Sequence, residues 1–308
     1  MSRRWLVQYA ATTLTLVALV LPAATRAQLK VAAMHPIIGD LARQVGGDKV
    51  DVVDLLPLHL GIHSFDPTPD VLKEASTAQL VLASGKHLEH GWIEKVRDNL
   101  PKDTEIVEVG RRIPSLLIDT KDEMFICCPA HSSGSLDPHW WHNIKNMQRA
   151  ARIVADAYAD ADPKNKDYYR AQAKAYEKEL ASLHSWVRKQ VASIPRADRE
   201  LSTAHLAFAY LCKEYGFRAI PVLGLNQEQS PSPLQLSETI GHLKKYKVRA
   251  VFPEKRANPK SLETIAREAG VRIGGTLLAD GVTADYPTYV EMMRHNIETI
   301  VQGLTGTE

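Results

Sequence analysis

Residues 167–194, DYYRAQAKAYEKELASLHSWVRKQVASI, predict one long helix in the middle of the chain. The segment has no glycine, and its apolar residues recur at alternating steps of three and four along one helix face: Tyr169, Ala173, Tyr176, Leu180, Leu183, Val187, Val191 and Ile194. Pro163 and Pro195 mark its limits. At 1.5 Å per residue the helix is roughly 42 Å long, so we expect it to be a stiff connector.

Short apolar runs alternate with helical patterns on both sides of this helix, which is typical of βα units with parallel sheets. Before the helix we predict strands at 29–33, 50–56, 80–83 and 105–109, with helices at 36–45, 69–75, 88–100 and 143–158. After it we predict strands at 201–203, 218–222, 250–253 and 271–274, with helices at 208–215, 233–246 and 259–269.

The sequence therefore predicts an α/β protein with two βα lobes, each built on a four-stranded, mainly parallel sheet, and joined by a long rigid helix. The predicted divisions are an N-terminal lobe at 28–165, a linking helix at 166–195 and a C-terminal lobe at 196–308. Two lobes imply a cleft between them.

Residues 1–27 have the pattern of a secretory signal peptide. Arg3 and Arg4 precede an apolar run at 14–21, and small residues surround Arg26 at the expected cleavage position. The run is shorter than the roughly 20 apolar residues that span a bilayer, and no later segment approaches that length. We therefore expect a soluble protein exported to the periplasm. Both the general and the twin-arginine export routes remain open.

The charge of the chain argues against nucleic acid or an anionic membrane surface as a partner. Residues 1–27 contain three arginines and no acidic residue, so their removal leaves 35 basic against 36 acidic residues. The remaining length of about 280 residues is enough for two lobes, each with its own core.

Three histidines and an aspartate stand at positions expected at strand ends or helix starts. They are His63 in GIHSFDPTP, His139 in DPHWWH, His205 in STAHLAF and Asp280 in LLADG. The first two belong to the N-terminal lobe and the last two to the C-terminal lobe, so an ion held by all four lies in the cleft. Three imidazoles and one carboxylate complete a tetrahedral shell, with zinc as the first candidate. A full shell leaves no position for water activation, which favours binding over catalysis.

Other histidines and an acid lie near the expected cleft segments. His35, His59, His87, His90 and His142 are candidates for contact with the metal or with its ligands. Glu254 either orients a ligand histidine through its ring N–H or forms a structural salt bridge. We expect the pair Trp140 and Trp141 to pack near the site.

The three cysteines leave a disulfide, free thiols and metal binding all open. The neighbours Cys127 and Cys128 bridge each other only under strain, so at most one disulfide is expected, for example from this pair to Cys212. Alternatively, their thiolates bind metal together with His131.

The chain resembles the zinc- and manganese-binding solute receptors of bacterial ABC importers, the group whose lobes are bridged by a long helix. The resemblance covers nearly the whole mature chain and is carried by HSFDPTP at 63–69, DPHW at 137–140, TAHLAFAY at 203–210 and Asp280. Supporting matches are SPSP at 230–233, VFPE at 251–254, LETIA at 262–266, DY at 285–286 and MMR at 292–294.

This resemblance implies a function, a ligand set and a partner. It implies a high-affinity receptor, not an enzyme, in which His63, His139, His205 and Asp280 bind the ion, the lobes close over it, and a membrane permease receives it. We further expect a monomer, with a periplasmic metallochaperone as a possible second partner.

The resemblance also bears on the choice of metal. Manganese-type members commonly carry glutamate where this chain has His205, and imidazole in that place favours zinc. A manganese or iron receptor is the main alternative. Many zinc receptors carry a long histidine-rich loop before the second ligand, whereas this chain has only His131 with Cys127 and Cys128 there.

The sequence bears differently on three further functions. An exported zinc hydrolase is disfavoured because the chain contains no HExxH or HxHxDH cluster. A siderophore, haem or cobalamin receptor of the same plan requires a wide cleft lined by arginines or aromatic residues. A surface adhesin is neither supported nor excluded by the sequence.

Overall fold

The N-terminal lobe is built on a four-stranded parallel sheet. A computed structural model describes residues 28–118, 136–222, 233–255 and 259–306. The first sheet has the order β2-β1-β3-β4, with strands β1 (Leu29–Ala33), β2 (Val50–Asp54), β3 (Leu80–Ala83) and β4 (Glu105–Glu108). β1 and β3 are buried almost throughout, as expected of central strands covered on both faces.

Helices α1 (Pro36–Gly46), α2 (Pro69–Ala75) and α3 (Ile93–Asn99) connect these strands. Proline stands in the first turn of α1 and α2, where its missing N–H is not needed. The side chain of Thr68 accepts a hydrogen bond from the backbone N–H of Val71 and caps α2.

Helices α4 (Ile144–Ala161) and α5 (Lys166–Val191) fold back on each other through the short turn Pro163–Asn165. The buried face of α5 is the predicted stripe: Tyr169, Ala173, Tyr176, Leu180, Leu183, Val187 and Val191. Beyond the end of α5, the guanidinium of Arg199 donates to the carbonyls of Val191, Ile194 and Tyr215. It thereby binds backbone carbonyls at two helix ends, where intrahelical donors run out.

The C-terminal lobe repeats the plan of the first. Its parallel sheet has the order β6-β5-β7-β8, with strands β5 (Glu200–Thr203), β6 (Arg218–Pro221), β7 (Ala250–Phe252) and β8 (Arg272–Ile273). The helices are α6 (Ala209–Tyr215), α7 (Pro233–Lys245), α8 (Pro259–Ala269) and α9 (Tyr289–Thr305). The predicted fold class, two lobes with four-stranded parallel sheets and a long helix, is confirmed.

Several predicted elements have different bounds in the structure. The helix predicted at 88–100 begins only at Ile93, because residues 88–92 form tight turns in which the backbone N–H groups of Leu88, His90 and Trp92 donate to carbonyls three residues earlier. The strands predicted at 50–56 and 271–274 are shorter, at Val50–Asp54 and Arg272–Ile273.

The last helix, α9, was not predicted. Thr288 and Glu291 form a capping box at its start. The backbone N–H of Tyr289 donates to Asp40 of α1 at 2.8 Å, and α9 also packs against α5. The end of the chain therefore returns to the N-terminal lobe.

Some predictions lie outside the described residues. The signal peptide at 1–27, the pair Cys127 and Cys128, and His131 are among them. Cys212 is a buried residue of α6. Within the described ranges, no helix combines the length and the apolar character needed to cross a membrane.

Candidate metal centre

The four predicted ligands lie together between the two lobes. His63, His139, His205 and Asp280 each offer one ligand atom, and these four atoms all lie within 4.8 Å of one another. His63 lies in a turn after β2, His139 directly precedes a turn before α4, His205 follows β5, and Asp280 follows the segment after β8. Ligands collect beyond the carboxyl ends of strands in parallel sheets, and both sheets contribute to this site.

The spacing of the ligand atoms is close to that of a tetrahedral ion site. The Nε2 atoms of His139 and His205 are 3.4 Å apart, and Oδ1 of Asp280 lies 3.5 Å from the first and 3.6 Å from the second. Nε2 of His63 is 3.7 Å from the same oxygen. A regular tetrahedron with metal–ligand bonds of about 2.0–2.1 Å has edges of about 3.3–3.4 Å.

His139 is oriented by a carboxylate two residues before it. Oδ1 of Asp137 accepts the backbone N–H of His139 and lies 2.9 Å from its Nδ1, and both residues are buried. This bond assigns the ring proton to Nδ1 and leaves the lone pair of Nε2 directed into the site.

His205 is oriented in the same way by Glu254, and both residues belong to the C-terminal lobe. One oxygen of Glu254 accepts the backbone N–H of His205 at 3.0 Å, and the other contacts its Nδ1. The predicted orienting role of Glu254 therefore matches the observed contacts. Burial disfavours the imidazolium, but attraction to Glu254 and Asp280 outweighs burial and raises the pKa of His205 well above its usual value.

Hydrogen bonds to the preceding residue, Ala279, fix the position of Asp280. The indole N–H of Trp141 donates to the carbonyl oxygen of Ala279, and Nε2 of His142 bonds to the same oxygen, each at 3.0 Å. These bonds cross from one lobe to the other beside the site. Burial alone would raise the pKa of Asp280, but the surrounding histidines, His205 above all, lower it well below its usual value.

His63 is the most accessible of the four predicted ligands. Its side chain is 21 % exposed, compared with 1 % for His139, 0 % for His205 and 6 % for Asp280. The turn that carries it follows Leu58 and Leu60, two large apolar residues that are themselves exposed. His63 therefore forms the solvent side of the site.

The other candidate histidines fall into two groups. His35 and His142 are fully buried, and both rings pack against Trp141. Burial lowers the pKa of His142 to about 3, so it stays neutral. His59, His87 and His90 are exposed and do not belong to the four-residue group.

Trp140 and Trp141 pack in the core beside the site, as predicted, and both are fully buried. Asp137 is the functional residue that sequence reasoning did not assign. The available signal was an acid two residues before a ligand histidine, but only the fold shows that both of its contacts reach His139.

Comparison of the sequence with known proteins identifies a family and several relatives. A family model described as ZnuA, zinc-uptake complex component A periplasmic, matches residues 31–303. The manganese-binding lipoprotein MntA of Bacillus subtilis (strain 168) is 33% identical over 285 residues, which cover 90% of each chain. MntA of Halalkalibacterium halodurans is 29% identical over 280 residues, covering 90% of this chain and 89% of the relative.

Solved structures of metal-binding proteins have a similar fold. The periplasmic zinc-binding protein TroA from Treponema pallidum is similar with a TM-score of 0.80 at 26% identity, covering 90% of this chain and 99% of that one. The family match spans most of the sequence, and the fold and the four-residue cluster agree with it. The chain therefore belongs to the ZnuA family of periplasmic metal-binding receptors, which deliver metal to the permeases of ABC importers.

Proposed function

We propose that this protein is a high-affinity zinc receptor that captures Zn²⁺ outside the cytoplasm and delivers it to an ABC permease. The observation that carries the proposal is a triangle of acceptor atoms, formed by Nε2 of His139, Nε2 of His205 and Oδ1 of Asp280, with sides of 3.4–3.6 Å. Lone pairs this close repel one another unless a cation lies between them, either a proton on His205 in the metal-free site or a metal ion in the loaded one. His63 completes the shell from the solvent side.

The donor set supports zinc over manganese. Three nitrogen ligands and one carboxylate oxygen suit a four-coordinate borderline-soft ion, whereas manganese favours oxygen ligands and a higher coordination number. His205 is decisive here, because a carboxylate in its place would make half of the donors oxygen.

Manganese remains the second candidate, with iron behind it. Both MntA relatives are named as manganese-binding, the YfeA protein of Yersinia pestis is named as iron-binding, and TroA is named as zinc-binding. The names of the relatives therefore leave the metal open, and the proposal of zinc depends on the donor set.

Catalysis and capture of a larger ligand are both disfavoured. Four protein ligands fill a tetrahedral shell, so water has no position at which a bound ion would activate it. The ligand atoms also converge at a spacing suited to a bare ion, which does not suit a siderophore, haem or cobalamin.

We also propose that the protein is exported, cleaved after Ala27 and active as a soluble monomer in the periplasm. The MntA relatives are named lipoproteins, but the first cysteine of this sequence is Cys127, so the region around the proposed cleavage position has no thiol for a lipid. Mass spectrometry of the exported protein is expected to give an N-terminus at Gln28 without added lipid mass.

We also propose a periplasmic metallochaperone as a further partner.

The test is direct competition between metals. Metal-free protein is mixed with equal concentrations of Zn²⁺ and Mn²⁺, and the bound ion is identified by native mass spectrometry. We expect one zinc ion per chain and displacement of pre-bound manganese. Retention of manganese under these conditions would favour the second candidate, and binding of neither ion would overturn the receptor proposal.

A further inference from the structure

The motif TAHLAFAY at 203–210 ends in a tyrosine that the metal centre does not use as a ligand. Tyr210 lies in α6, shortly after the ligand His205, and it is buried. A buried tyrosine usually has a hydrogen-bond partner for its hydroxyl, so the partners of Tyr210 indicate what it does in the fold.

The hydroxyl of Tyr210 crosses from the C-terminal lobe to the backbone of the N-terminal lobe. It accepts the backbone N–H of Leu116 at 2.9 Å, and its own proton faces the carbonyl oxygens of Pro114 and Asp137, each at 3.3 Å. A tyrosine hydroxyl both donates and accepts, and these contacts use both capacities. One side chain therefore ties two segments of the opposite lobe together.

The two segments that this hydroxyl joins also pair with each other, and we call them, residues 113–117 and 136–137, the clip. The backbone N–H of Asp137 donates to the carbonyl of Leu116 at 2.9 Å, and the clip contains an antiparallel bridge. The carboxylate of Asp137 bonds to the backbone N–H and to the Nδ1 of the ligand His139. A displacement of the clip would therefore displace the group that orients this ligand.

The clip is also held from its own lobe. The ammonium of Lys86, a buried residue, donates to the carbonyl of Ile113 at 2.9 Å and to the hydroxyl of Ser115. Burial, and after it the negative charge of Asp137, raises the pKa of Tyr210, so the hydroxyl keeps the proton that it donates. Lys86 and Tyr210 thus fix the clip from the two lobes.

This arrangement links the supports of two ligands that come from different lobes. Tyr210 lies on the helix that follows His205, the clip supports His139, and the Nε2 atoms of the two histidines are 3.4 Å apart. Without the hydroxyl, the N–H of Leu116 would lose its partner, which is unfavourable for a donor that is not fully open to water. We expect the clip to shift in response, and His139 with it.

We propose that Tyr210 is a positioning residue of the metal centre, which acts through the clip to hold the carboxylate of Asp137 against His139. The proposal rests on the proposed function, because bound zinc is one of its readouts. It adds a contact from the opposite lobe to the carboxylates that orient the ligands, so that the orientation of His139 depends on where the C-terminal lobe lies.

Zinc binding by Tyr210→Phe protein, alone and combined with Asp137→Asn, tests the proposal. The single substitution is expected to lower zinc affinity by about tenfold, measured by competition with a chelator, in a protein that circular dichroism shows to be folded. In the Asp137→Asn background the same substitution is expected to lower affinity by less than about twofold, because the carboxylate through which Tyr210 acts is already altered. Equal losses in the two backgrounds would overturn the proposal.

Tyr215→Phe is the matched control. Tyr215 is a second buried tyrosine of α6, and its hydroxyl bonds to Nδ1 of His184, a residue outside the four-ligand group, at 2.9 Å. Both substitutions remove a bonded hydroxyl from the same helix, so a general loss of stability would appear in both thermal unfolding curves. Zinc affinity of Tyr215→Phe is expected to stay within about twofold of the unmutated protein, because the two sites share no partner. A loss equal to that of Tyr210→Phe would leave Tyr210 only a structural role.

An NMR measurement on metal-free protein separates this proposal from the proposed function. The Nδ1 proton of His139, bonded to Asp137, is expected to shift in Tyr210→Phe protein, whereas that of His205, bonded to Glu254, is expected to stay in place. An unchanged His139 signal would overturn the positioning role. Failure of the unmutated protein to bind zinc would overturn the proposed function instead, and the His139 signal would still decide the role of Tyr210.

Discussion

His139 and His205 come from different lobes but are positioned in the same way, whereas His63 occupies a different environment. Each of the two buried histidines has a carboxylate that binds both its backbone N–H and its Nδ1. His63 lies in a three-residue turn at the surface. The contrast indicates that the site has a prepositioned buried part and an accessible part at which water can replace a ligand.

The largest effect is expected from His139→Ala. Loss of this buried ligand also removes the ring N–H that Asp137 accepts, so zinc affinity is expected to fall by about 1000-fold, equivalent to about 4 kcal/mol. Titration calorimetry measures the affinity, and circular dichroism is expected to show an intact fold because the residue lies in the cleft. An unfolded variant would instead assign His139 a structural role.

A smaller loss is expected from His63→Ala. Because this ligand is partly exposed, water can enter and occupy its coordination position, so we expect a decrease of about 100-fold, seen mainly as faster zinc release to a chelator in stopped-flow experiments. A loss equal to that of His139→Ala would remove the distinction between the buried and accessible parts.

The orienting carboxylates are expected to contribute less than the ligands themselves. Asp137→Asn and Glu254→Gln keep the size of the side chain but weaken the bond to the ring N–H, and each is expected to lower zinc affinity by about 10- to 100-fold. The two variants serve as controls for one another, since in each lobe a carboxylate binds the backbone N–H and the Nδ1 of a histidine. A loss in only one of them would show that the two lobes position their histidines differently.

The smallest effect on zinc affinity is expected from a change of pH. The raised pKa of His205 means that the metal-free site holds a proton there near neutral pH, and zinc must displace it. Affinity is therefore expected to rise by about tenfold per pH unit until the pH exceeds that pKa. Calorimetry in buffers of different protonation enthalpy measures the released proton directly. Binding without proton release would contradict the assignment of His205 as a ligand.

Much of the fold follows from local sequence patterns. The strands at 29–33 and 80–83 and the helices at 69–75 and 259–269 match the predicted boundaries, because apolar runs and flanking prolines determine them locally. The helix predicted from Leu88 begins late because turns replace its first residues, and the bond from Lys86 to Ile113 beside these turns joins residues far apart in the sequence.

The site was less predictable than the fold. The types and order of the four ligands suggested a shared ion, but their convergence within 4.8 Å depends on how two sheets face each other. The bonds from Trp141 and His142 to Ala279 cross from one lobe to the other. The contact between Asp137 and His139 spans only two residues, but it depends on side-chain geometry inside the buried site. No local periodicity encodes such contacts.

X-ray absorption at the zinc edge of protein loaded with one equivalent of zinc tests most directly whether the four residues bind the ion. We expect four-coordinate zinc with three imidazole ligands and one carboxylate oxygen at about 2.0–2.1 Å. A spectrum with fewer than three imidazoles, or with five or six ligands including water, would contradict the proposed centre.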